Sequence, residues 1–164
     1  MEEEHRPGVL RLIIYLIIAS ALTGSLAGWV NASGARMWTS ELVHPDWVPG
    51  FSMQTLAWAI LIHLNMVSLW LVERSQSPRV RLFGQLLVLT VIATQVLRIV
   101  AFFATENVQL GFVLSLTIWV FNLFAIGLVG KISRPAGFVL WPAFVMLSSG
   151  LIINFELMRL NPPL

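Results

Sequence analysis

Apolar residues run along this chain in blocks of about twenty, separated by short polar stretches. A helix needs roughly 20 predominantly apolar residues to cross the hydrocarbon core of a bilayer. Five blocks are long enough, near residues 9–31, 54–72, 82–103, 108–130 and 136–158. Their separators suit antiparallel spans. Glu73–Arg81 is polar, Thr105-Glu106-Asn107 reads as a tight turn, and Lys131–Pro135 carries charge and a helix-stopping proline. Only the connection at 32–53 is long. The pattern predicts an all-α integral membrane protein, a bundle of five transmembrane helices with a structured first loop, in one domain over residues 1–164.

Composition narrows the function classes. The chain is 57% hydrophobic and 11% charged, where soluble domains carry about 25% charged residues. The absence of cysteine removes disulfides, thiol catalysis and thiolate metal sites. A net charge of +2, without a basic cluster interleaved with aromatics, gives no footprint for nucleic acid. No nucleophile–base pair, phosphate loop or paired-carboxylate arrangement stands out, so neither a catalytic residue nor a metal site is expected. Small residues at Ser25-Leu26-Ala27 resemble a cleavage site. The apolar run around them is too long for a signal peptide, and it follows Glu2-Glu3-Glu4 instead of positive charge, so it is expected to remain as a span.

Lysine and arginine predict orientation. Arg6, Arg11, Arg74, Arg79, Arg81, Lys131 and Arg134 fall on the N-terminal side of the spans, against Arg36 and Arg159 on the other. The positive-inside rule places the N-terminus in the cytoplasm, with the 32–53 loop and the C-terminus opposite.

Trp38–Trp58 holds three of the seven tryptophans together with Pro45 and Pro49. Proline fixes φ and removes a donor, so a loop with prolines on both sides of Trp47 is stiff. A stiff loop that projects indoles at a membrane interface suits a cover or an anchor.

The block Trp38, Pro45, Trp47, Pro49, followed by Trp58 in the next helix, resembles the first loop and second helix of the tryptophan-rich sensory protein or translocator family, TspO/MBR. Independently, Pro142, Asn154-Phe155-Glu156 and Met158-Arg159-Leu160-Asn161 resemble that family's last helix. The resemblance implies a five-helix bundle whose cavity, capped by the first loop, binds a tetrapyrrole such as porphyrin or haem, or another flat apolar ligand or lipid. It also implies a homodimer or a membrane-protein partner. Carried over by position, Trp47 belongs to the lid, Trp58 lines the cavity from the second span, and Gly150 and Asn154 line it from the fifth. Ile62 and Met146 stand where the family usually carries Tyr and Trp, and Thr39, Gly50 and Ala143 are further departures. These lost aromatics weigh against porphyrin breakdown. They also leave an alternative: an accessory subunit that keeps the fold, has a degenerate pocket and docks on another membrane complex.

Several polar residues inside the spans carry two readings. His63 is either a haem ligand or proton carrier, or a residue hydrogen-bonded across to a neighbouring helix near Asn65 or Asn122. Thr90, Thr94 and Arg98 share a helical face, which either lines a polar part of the cavity or is structural. Arg98 receives a ligand carboxylate in the first case. In the second it pairs with Glu156, expected at similar depth. The ridge Ser20, Gly24, Gly28 suits close packing inside the bundle or a dimer seam. Trp29, Trp70 and Trp141, near span ends, read as interfacial anchors.

Overall fold

A computed structural model describes residues 8–75 and 78–162. Glu2–Glu4, His5 and Arg6, which entered the reasoning about leader and orientation, lie outside the described residues. The chain forms α1 (Val9–Ala32), α2 (Ala35–Glu41), α3 (Phe51–Glu73), α4 (Pro78–Thr105), α5 (Val108–Ile132) and α6 (Arg134–Leu160). All except α2 are long and apolar enough to span a membrane. In lipid each backbone N–H and C=O needs a partner within the segment, so such runs fold as helices.

The breaks between helices have local causes. Gly34 takes φ 76° and opens α2, a left-handed conformation that glycine adopts without a Cβ clash. Glu106, at φ 49°, turns the chain between α4 and α5, and the Asn107 side chain then caps α5 by accepting from Leu110 N at 2.8 Å. Between α5 and α6 only Ser133 is non-helical, and its hydroxyl caps α6 by accepting from Ala136 N. So sharp a hairpin presses the two helices together. A Cβ on Gly137 would lie 2.6 Å from Gly130 Cα.

Helices α3, α4, α5 and α6 pack in a ring in chain order, with α6 closing onto α3, and α1 leans on the outside of α3. The ring's interior is dry at the end away from the first loop, where Val72, Val88, Val129 and Leu140 have no exposed surface. At that end α1 is tied down through Glu73. This buried carboxylate accepts from Tyr15 Oη, from Arg11 Nη1 at 3.3 Å and from Gln85 Nε2 at 3.0 Å, joining α1, α3 and α4.

The rest of α1 is loosely engaged, with Ala19 and Val30 as its buried residues. Nothing lies within 4 Å of a Cβ built on Gly24 or Gly28. The Gly24-Gly28 part of the ridge therefore does not serve packing inside the bundle; α1 meets α3 through the neighbouring stripe of Ala19, Leu22 and Leu26 and through Ser20.

Candidate functional site

The cavity lies between the ring and the first loop. Its volume is about 510 Å³, within the range of small-molecule pockets. Helical rise puts four of its lining residues in one layer. Trp58 and Ser115 each lie seven residues into α3 and α5 from the loop end, Arg98 lies seven before the end of α4, and Asn154 six before the end of α6. At about 1.5 Å per residue, that layer is roughly 10 Å deep.

Aromatic rings form one wall. Trp58 meets Phe103 edge-on at 5.6 Å and Phe51 at 5.9 Å between centroids, Phe102 meets Phe103 at 4.9 Å, and Trp38 from α2 closes on Phe102 at 5.2 Å. Two guanidinium groups lie over these rings: Arg98 Cζ stands 5.8 Å from the Trp58 centroid, and Arg36 Cζ 5.4 Å from that of Phe51. Cation–π attraction holds each one while its N–H donors stay available. Neither arginine belongs to an ion pair among the described residues, and no Asp or Glu lines the cavity. The cavity is thus an aromatic slot with a positive bias.

The lid is latched at its far edge. Asn161, at the end of α6, accepts from Val43 N at 2.9 Å through Oδ1 and donates to Val43 O at 3.0 Å through Nδ2. This is how a neighbouring strand would pair with that residue. Gln54 Nε2 donates to Pro49 O at 2.8 Å and steadies the second proline.

Of the residues expected at a site, Trp58, Arg98, Met146, Gly150 and Asn154 line this cavity together. Trp47 and Ile62 do not. Trp47 is on the loop but 56% exposed, turned outward, while Ile62 is buried in the ring's apolar core. Phe51, Phe102 and Phe103 went unnoticed in the sequence, and Arg36 was counted there for orientation alone. The paired Phe102-Phe103 at a span end was the available signal.

One further expectation is overturned, and two resolve onto the structural one of their readings. Arg98 and Glu156 do not meet: α4 and α6 occupy opposite corners of the ring, and Glu156 takes Arg159 of its own helix at 2.6 Å. Neither Thr90 nor Thr94 lines the cavity, and each hydroxyl donates to the carbonyl four residues back within α4. His63 is bonded to α1 and not near Asn65 or Asn122. Its Nδ1 lies 2.7 Å from Ala59 O, and its Nε2 lies 3.0 Å from Ser20 Oγ. A carbonyl only accepts, so Nδ1 carries a proton and Nε2 faces a hydroxyl. With both ring nitrogens engaged outside the cavity, His63 is not placed to ligate iron there.

No group of three or more His, Asp or Glu residues suited to a metal ion occurs among the described residues. No curated protein matches the chain. The model of the TspO/MBR family, however, matches residues 14–160, nearly the whole length. A bundle of five apolar helices with a tryptophan-bearing first loop over its cavity is thus no isolated design: the chain belongs to the TspO/MBR family.

Proposed function

We propose that the protein binds a flat, largely apolar anion of the tetrapyrrole class in this cavity, as a sensor, carrier or regulator and not as an enzyme. The observation that carries the reading is Arg98, a guanidinium inside the bundle with aromatic rings beside it and no carboxylate partner among the described residues. A cation at that depth is costly unless something pairs with it. A carboxylate arriving with a ligand does so by charge-assisted hydrogen bonds, while the macrocycle lies against Trp58. Arg36 sits over Phe51 at the loop end of the same wall and offers a second cation. The residues suit a porphyrin ring and its acid groups; His44, with Nε2 on Thr39 O at 2.7 Å, and Met146 line the same cavity. In this reading the lid faces away from the cytoplasm.

The test is a spectral titration of purified protein with protoporphyrin and with its dimethyl ester. The free acid should bind more tightly to the wild type, and Arg98→Leu should erase that preference while leaving ester affinity nearly unchanged. Equal affinity of the wild type for acid and ester would overturn the role of Arg98. A second reading, an accessory subunit docking on another membrane protein, draws on the bare outer face of α1 around Gly24 and Gly28. Absence of any spectral response would favour it.

A further inference from the structure

Below the cavity, three amide side chains are buried in the ring with polar atoms that no protein group satisfies. Asn65 on α3 and Asn122 on α5 have no exposed surface, and Gln95 on α4 is 4% exposed. Among the described residues, no partner reaches Asn65 Oδ1, either polar atom of the Gln95 side chain, or either polar atom of the Asn122 side chain. Only Asn65 Nδ2 is committed, to Leu61 O at 2.8 Å. Five amide atoms left bare in hydrocarbon would each carry an uncompensated desolvation cost.

Their register connects them to the cavity. Asn65 lies two helical turns beyond Trp58 on the same face of α3, and Asn122 two turns beyond Ser115 on the same face of α5. Both asparagines lie fourteen residues from the loop ends of their helices, roughly 21 Å deep. Met146, which lines the cavity, lies fourteen residues before the end of α6, at the same depth. Gln95 is one turn deeper than Arg98 and bridges the two layers, and the hydroxyl of Ser115, itself unsatisfied, stands at the cavity wall.

We infer that Asn65, Gln95 and Asn122 form a binding site for internal water, a wet floor beneath the ligand cavity. The inventory is balanced for it. The carboxamides of Gln95 and Asn122 each offer two donors and an acceptor, and Asn65 adds an acceptor. A buried water makes about three hydrogen bonds and belongs where polar groups converge without direct partners. Beyond the amides the dry block of Val72, Val88, Val129 and Leu140 ends the wet region. The compartment is therefore blind, a terminus for water entering by way of the cavity and not part of a passage through the membrane.

The experiment is water-to-protein polarisation transfer by solid-state NMR on the ligand-free wild type in bilayers, following the side-chain amides of Gln95 and Asn122. Their protons should gain signal from water about as fast as those of Asn161 at the lid. Signals that stay dark while Asn161 responds would overturn the inference, whether the amides are bare or bonded directly to one another. In parallel, Asn122→Leu should lower the melting temperature, because it removes a member of a satisfied network. An unchanged or raised melting temperature would mean that the amide is unsatisfied, and would count equally against a water site. No ligand enters either measurement, so failure here is distinct from failure of the tetrapyrrole reading.

Discussion

At the scale of single residues, the cavity assigns different weights to tryptophans that look alike in the sequence. Trp58 presents its ring to the cavity beside Arg98, whereas Trp47 and Trp141 are 56% and 50% exposed. Trp58→Ala should weaken protoporphyrin binding by about 1–3 kcal/mol, the range for stacking a flat ring on one aromatic face. Trp47→Ala and Trp141→Ala should change it by much less, as read from the same titration. Equal losses from Trp58 and Trp47 would mean that the lid refolds over the ligand and brings Trp47 inward. The loop's tryptophans and prolines were legible as a motif, but the direction each indole takes was not. That direction depends on the turn through Pro45–Val48 and on the latch at Asn161, which is 118 residues away from Val43 in sequence. Arg98 shows the same limit. Its depth could be counted from the span ends, but which corner of the ring faces it depends on how helices pack. Glu156 was thus a reasonable partner by depth and a wrong one by position.

At the scale of elements, helix existence was written in the hydrophobic runs, and the structure mostly lengthens them; α4 starts at Pro78 instead of near 82 because helical geometry continues past the hydrocarbon edge. The short α2 escaped notice because seven residues with polar Thr39 and Ser40 carry no span-like signal. Close approaches were equally hidden. Gly137 and Gly130 read as ordinary glycines of apolar segments, yet they are where α5 and α6 touch backbone to backbone. Gly137→Ala must push the two helices apart and should cost about 1–3 kcal/mol, the usual range for overpacking; the melting temperature of the variant measures it. Gly150→Ala, with open space around its Cβ, is the control and should melt close to the wild type. The lid latch gives a second test. Asn161→Ala removes the two hydrogen bonds to Val43, worth about 0.5–1.5 kcal/mol each, along with a third to Leu157 O at the end of α6. Hydrogen exchange at the Val43 amide should then speed up roughly tenfold, with the amides of α4 unaffected. Unchanged exchange at Val43 would show that the prolines alone hold the lid.

At the scale of the whole molecule, the two ends of the bundle differ in chemistry. The lid end is aromatic, cationic and hollow. The other end is packed dry around Val72, Val88, Val129 and Leu140 and fastened to α1 through Glu73. A bundle hollow at one end and sealed at the other suits binding from one side of the membrane, not conduction, so the side that the hollow end faces decides where ligand is met. Among the described residues, Arg11, Arg74, Arg79, Arg81, Lys131 and Arg134 flank the sealed end, against Arg36 and Arg159 at the lid. Cytoplasmic loops retain such an excess of Lys and Arg, and the lid's own arginine, Arg36, is drawn inward over Phe51. The expected orientation therefore has the sealed end in the cytoplasm and the lid outside it. Since the native chain has no cysteine, single substitutions can report this directly. Arg79→Cys, at an exposed position, should resist a membrane-impermeant maleimide in intact cells and react once the membrane is opened. Met37→Cys, on the lid and 72% exposed, should react in both cases. The reverse pattern would put the hollow end in the cytoplasm, and a ligand would then be met on that side.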